Sequence, residues 1–279
     1  MNFTLIPFFV ATNILVDQPD QWVYGPEFVF NTSLTESVFT NTMVKPLYWM
    51  NLTTTMRCRP EDVNTLLCRF DHVRMLAFVD QQPTDIVIDY PFKIEFSPRG
   101  IEKLRLPEEI DDKNLFFLRN IVKDLSIGAD LRENADSLPV FIAKQNYVIA
   151  GCATLFTVLN HDQVSNQTRN YDLQILPLPG RRPDSVVVIE KITEHKKCAK
   201  PGNPSYSMQK MNYKIKTYVS RMQIGDTTFN SQTRMHMEMK TKELISIRDI
   251  SYVELVDIER ATEPMPQADF DHVATLYFE

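Results

Sequence analysis

Apolar and polar residues alternate with period two along much of this chain, the pattern of strands buried on one face. Phe92, Ile94 and Phe96 alternate with Lys93 and Glu95. Phe28, Phe30 and Leu34 keep the same period around Asn31 and Thr35, and residues 47–55 carry β-formers on both faces. Cys152, Thr154, Phe156 and Val158 form one face of a further strand. Residues 185–192 are a short valine-rich apolar run, as a buried strand would be. Met235, Met237 and Met239 alternate with His236, Glu238 and Lys240, and residues 244–258 close the pattern with one more β-like stretch. The three methionines read as sheet core, against a lipid-facing surface that methionine could also suit.

One segment has a different period. Leu115, Leu118, Val122 and Leu125, with Phe117 and Ile121 beside them, follow the i, i+3, i+4, i+7 spacing of an amphipathic helix. Asp111 and Asp112 suit its N-terminus through capping and the helix dipole. Gly128 follows the last periodic residue and is placed to cap the C-terminus. The pattern therefore predicts a helix over 112–127. Its apolar face is wide and aromatic, with Phe116 included, and calls for enclosure on more than one side. A curved sheet wrapped around it would supply that, so the predicted fold class is mainly β around one helix.

Composition narrows the picture. The chain has 279 residues with a net charge of −6, which argues against a general nucleic-acid binder. Only 7 residues are glycine, whereas average usage would give roughly three times as many. Tight two-residue hairpins should be few, with turns built on Pro, Asn and Asp instead. Residues 160–170 and 180–184 read as long loops, and 262–271, with Pro264 and Pro266, as an extended segment. Met1 to Val16 is almost wholly apolar or small-polar but stops short of a transmembrane span. It reads as a secretory signal peptide, with a first strand of the domain as the alternative. An even set of four cysteines, Cys58, Cys68, Cys152 and Cys198, favours two disulfides in an exported chain. No C-x-x-C pair points to zinc. Glycosylation sequons begin at Asn2, Asn31, Asn51 and Asn166. Asn2 would leave with the leader, and Asn166 lies in the most loop-like surroundings.

No catalytic constellation emerges, and no cofactor is implied. His72, His161, His195, His236 and His272 lie in no metalloprotease motif and beside no nucleophile elbow. The carboxylate pairs Asp111–Asp112 and Glu108–Glu109 are explained by a helix cap and a solvated loop. The chain reads as a protein that binds and assembles, not as an enzyme. Lys191, Lys196, Lys197 and Lys200 cluster around His195 and Cys198. They read either as a solvated loop or as a docking patch.

Four strings, taken in order, carry a family resemblance. Trp22-Val23-Tyr24-Gly25 is similar to the mature start of the vitellogenin family of large lipid transfer proteins. The stretch Tyr90 to Leu131 resembles its strand, turn, short strand, acidic lead-in and glycine-ended helix. Residues 151–158, GCATLFTV, look like its G-x-C-x-T-aromatic strand, and 188–198, VIEKITEHKKC, like its lysine-rich segment. The resemblance runs from about Gln21 to about Glu259. It implies a β-barrel-like antiparallel sheet enclosing the helix over residues 17–260, a leader at 1–16, and at 261–279 a linker toward a helical domain. That domain is not in this sequence, so the chain reads as a fragment, a truncated product or a reduced paralogue. The family pairs the cysteine of its G-x-C strand with the one after the lysines, implying Cys152–Cys198 and leaving Cys58–Cys68. Its receptors resemble the low-density-lipoprotein receptor, whose acidic modules grip lysine, so Lys191, Lys196 and Lys197 become the implied receptor-binding residues. Lys191 falls on a family lysine position, while Lys196 and Lys197 are shifted toward the cysteine. The resemblance implies a secreted yolk or lipoprotein module, with lipid contacted mainly by regions outside this chain. A stand-alone secreted barrel, carrying a small apolar ligand or recognising microbial surfaces, is the alternative.

Overall fold

The computed structural model describes residues 2–5, 10–14, 22–41, 45–77, 84–85, 88, 90–107, 110–145, 152–162, 171–175, 185–193, 213–240, 243–266 and 268–274. In chain order the strands are β1 (Asn2–Leu5), β2 (Val10–Ile14), β3 (Pro26–Thr40), β4 (Tyr48–Asp62), β5 (Thr65–Ala77), β6 (Thr84–Asp85), β7 (Phe92–Ser97) and β8 (Gly100–Leu106). Helix α1 (Asp112–Val122) follows, continued by a 3₁₀ turn, Lys123–Leu125. Then come β9 (Val140–Lys144), β10 (Ala153–Asp162), β11 (Tyr171–Ile175), β12 (Ser185–Thr193), β13 (Tyr213–Ile224), β14 (Phe229–Lys240), β15 (Leu244–Arg260) and β16 (His272–Ala274).

All pairings are antiparallel, and one large sheet runs β16-β8-β7-β5-β4-β3-β15-β14-β13-β12-β10-β9, with β6 added beside β5. Its inward face is the alternating apolar set: Phe28, Phe30, Leu52, Met56, Phe92, Ile94, Phe156 and Phe229 are buried. The three methionines of β14 are buried on the same face, Met235 and Met237 within the main core cluster. Turn chemistry replaces the scarce glycine where it can. At the β4–β5 turn the Asp62 carboxylate accepts the Asn64 backbone N–H at 2.8 Å.

The sheet curls about α1, as an open curl and not a closed barrel. The helix packs on β3 and β15, and the 3₁₀ turn touches β14, β15 and β8, so contacts arrive from well-separated parts of the sheet. Phe117, Leu118, Ile121 and Val122 are all at most 2% exposed. The Asp111 side chain accepts from Asn114 N at 2.9 Å, as the expected N-cap.

The helical segment ends earlier than 127. It tightens at Lys123–Leu125, and Ser126 is already extended. Ser126 gives its groups to the surrounding sheet instead: its hydroxyl accepts from Ile101 N at 3.0 Å and its carbonyl accepts from Lys191 at 2.8 Å. Gly128, with φ +89°, lies beyond this crossing and is not the helix cap. Gly100, with φ +119°, lets β8 approach so closely that an added Cβ would stand 2.1 Å from the Ser126 hydroxyl.

Strands are also present near both termini. Within residues 1–16, open between a leader and a first strand, Asn2–Leu5 and Val10–Ile14 are strands, and β1 and β2 form a small sheet in the order β1-β2-β11. Residues 261–266 and 268–271 carry no regular structure, and β16 then pairs with β8. Ala274 is buried, Arg59 donates to the Glu263 carbonyl, and Lys93 lies 4.4 Å over the Phe270 ring. Side-chain contacts thus hold this segment on the sheet. Among the described residues no helix is long and apolar enough to cross a membrane.

Candidate functional site

The period that buries Val187 and Ile189 on β12 also points Lys191 inward, and it is 1% exposed. Its cross-strand neighbours are polar too. The register runs Lys191, Ser220, Thr233, Ser251 across β12, β13, β14 and β15. One level along, Tyr218, Met235, Asp249 and Glu36 continue from β13 to β3. These two rows form a polar band inside an otherwise apolar curl.

The end of α1 meets this band. Asn120, Lys123, Asp124 and Ser126 are all buried. The Lys123 ammonium donates to the Asn120 carbonyl at 2.8 Å and to its side-chain oxygen at 2.7 Å. Asn120 in turn donates to the Phe116 carbonyl at 3.0 Å. Thr233 donates to one Asp124 oxygen, and Lys191 fastens the Ser126 carbonyl. Among the described residues, the other Asp124 oxygen, both Asp249 oxygens and the Ser220 and Ser231 hydroxyls find no hydrogen-bond partner.

Such burial disfavours charge. It lowers Lys191 to about 7, with Asp124 pulling the other way and Lys123 adding to the depression. It raises Asp249 to about 8, helped by the neighbouring Glu36 and opposed by Lys123. Burial also raises the carboxyls of Asp124 and Glu36 and lowers Lys123. Two lysines and two aspartates therefore share an enclosed space that disfavours the charged form of each. The band anchors the helix end through the Lys191 and Thr233 hydrogen bonds.

This placement overturns one receptor-binding expectation. Lys191 faces the interior, because its parity on β12 is that of Val187 and Ile189, so it cannot grip a partner at the surface. Lys196 and Lys197 lie outside the described residues. Cys58 and Cys68 are directly opposite on β4 and β5, buried and disulfide-bonded. Cys152 is buried and disulfide-bonded, while Cys198, its expected partner, lies outside the described residues. Of the sequon asparagines, Asn31 is exposed on the outer face of β3, Asn51 is half-buried on β4, and Asn166 lies outside the described residues.

Sequence reasoning missed Lys123, Asp124, Glu36 and Asp249 as members of one cluster. The signal for Asp249 was its alternation with Ile247, Ser251 and Val253. That for Lys191 was its alternation with Val187 and Ile189. Nothing in either pattern says that the helix end arrives between them.

No protein-family model matches the chain, and no curated protein does. Among solved structures, the fold is similar to that of lipovitellin, in a structure described in terms of lipid–protein interactions. The TM-score is 0.61 at 11% sequence identity, over 92% of this chain and 28% of the lipovitellin chain. The chain thus spans just over a quarter of the length of that protein and shares its fold over that part.

Proposed function

We propose that this chain is the amino-terminal sheet module of an exported lipid carrier, acting in binding and particle assembly and not in catalysis. The observation that carries this reading is the lipovitellin-like fold over 92% of the chain. The buried Cys58–Cys68 disulfide fits an oxidising, extracellular destination. The alternative of a small apolar ligand inside the curl has less to support it, since α1 and the polar band occupy the middle of the described sheet. Receptor docking is the finer part of the proposal. It now rests on Lys196 and Lys197 without Lys191.

The test is flotation of the native product that carries this chain, isolated from the organism's body fluid or egg with an antibody to it. A lipid carrier is expected to band at the buoyant density of a lipoprotein and to yield phospholipid on extraction. A lipid-free product that sediments as ordinary protein would overturn the reading.

A further inference from the structure

The outer face of the sheet carries a polar cleft of about 550 Å³ that the interior band does not touch. It lies where β5 bulges away from β4. The register slips between Thr53 and Thr55, which face Arg74 and Asp71, and the intervening His72 takes φ +55°, a left-handed backbone that non-glycine residues rarely adopt. Thr54 steadies the bulge by donating to the Asp71 carbonyl at 2.9 Å. The outward residues about this opening include Asn31, Ser33, Thr53, Thr55, His72 and Tyr252. No carboxylate lines it.

Asn31 begins the sequon Asn31-Thr32-Ser33 and stands at the rim of this cleft. Tyr252 pairs with Ser33 and Glu254 with Asn31, so the Tyr252 ring is the diagonal neighbour of Asn31, roughly 7–8 Å away. The flank of an aromatic ring accepts the apolar face of a pyranose. Serine and threonine hydroxyls both donate and accept, as sugar hydroxyls do. Burial, with Glu254 beside it, pushes the Tyr252 phenol up to about 12, so it stays an O–H donor.

Asn51 offers a contrast within the same sheet. It begins a second sequon, but it is half-buried, its side-chain oxygen accepts from Thr35 at 3.2 Å, and its flanking partners are Thr35 and Leu76. A sugar there would have to displace that packed row.

We propose that Asn31 carries an N-linked glycan whose first sugars lie in the β3–β5 cleft against Tyr252, while Asn51 stays bare. In the modification the Asn31 Nδ2 forms a bond to C1 of the first sugar. The C1–O bond to a lipid-linked pyrophosphate donor breaks, the pyrophosphate leaves with the electron pair, and the transferring enzyme takes the Nδ2 proton. The inference rests on the export reading above, because such transfer occurs in the secretory pathway.

The full chain, with its own first residues, is expressed in a eukaryotic secretory host. Glycopeptides are then mapped after enzymatic deglycosylation in ¹⁸O-water, which converts each formerly glycosylated asparagine to labelled aspartate. Label is expected at Asn31 and not at Asn51. Ser33→Thr, which keeps the sequon, should retain it, and Ser33→Ala should abolish it. The folded protein should release the Asn31 glycan to peptide N-glycosidase F at least tenfold more slowly than Tyr252→Ala, whose fold is checked by its urea midpoint. Secreted protein with a bare Asn31, or with equal label at Asn51, overturns the inference and leaves the export reading standing. Equal release from wild type and Tyr252→Ala overturns the seating in the cleft. Protein that never enters the secretory pathway overturns both readings.

Discussion

Asp249 shows how a single position turns strand geometry into pH dependence. Its carboxyl is 2% exposed, and neither oxygen has a hydrogen-bond donor among the described residues. A carboxyl raised from its ordinary range to about 8 stabilises the fold fully below the unfolded value, and that contribution is lost as pH rises to the folded one. Lys191 runs oppositely. Lowered to about 7, it contributes fully above the ordinary lysine range, and this is lost as pH falls toward 7. The pair therefore favours the fold least near pH 7–8. Asp249→Asn removes the acidic-side half of this dependence while keeping the shape. It is expected to raise the urea-derived stability at pH 7.5 by on the order of 1–3 kcal/mol, with the gain shrinking toward pH 4. An equal effect at both pH values would remove the titration from the explanation.

Helix α1 gains its place from the sheet and not from its own length. Eleven residues are marginal as an isolated helix, so packing of the apolar face must hold it. Phe117 lies on that face at 2% exposure. Phe117→Asp would bury a carboxylate with no partner, at a cost of several kcal/mol. The variant is expected to lose cooperative unfolding and to accumulate as aggregate, checked by circular dichroism melts and size exclusion. A soluble, cooperatively melting variant would place the helix elsewhere. The N-terminus of this element was legible in the sequence, because Asp111 caps through a local contact. Its C-terminus was not. The glycine signal at Gly128 is real, with φ +89°, but it serves a bend after Ser126 has been drawn off by Ile101 and Lys191.

For the whole molecule, the expected docking patch splits in two. Lys191 belongs to the interior, so the proposed receptor docking rests on Lys196 and Lys197, which lie outside the described residues. Replacing Lys196 and Lys197 by alanine is expected to weaken receptor binding severalfold at low ionic strength. Less loss is expected at physiological salt, where screening acts over about 8 Å, and the melting temperature should barely change. Surface plasmon resonance at two salt concentrations reads this directly. Affinity that ignores both the substitution and the salt would end the docking reading. Lys191→Ala is expected to behave differently, lowering stability through loss of its bond to Ser126.

Sequence periodicity by itself determined which faces of the strands are apolar, that one amphipathic helix interrupts them, and where that helix begins. These are local properties: side chains alternate along a strand and recur every three to four residues along a helix. Tertiary structure alone decided what the inward polar residues meet. Lys191 and Asp124 are 67 positions apart along the chain, and Asp249 lies 58 positions beyond Lys191. Only the curl of the sheet around α1 brings them into one enclosed space. The placement of residues 272–274 was decided the same way. The proline-containing stretch before them reads as a linker from composition, and the edge of β8 offers hydrogen bonds that β16 takes. Pairing across a sheet edge depends on which strand is left unpaired, and that is a property of the assembled fold.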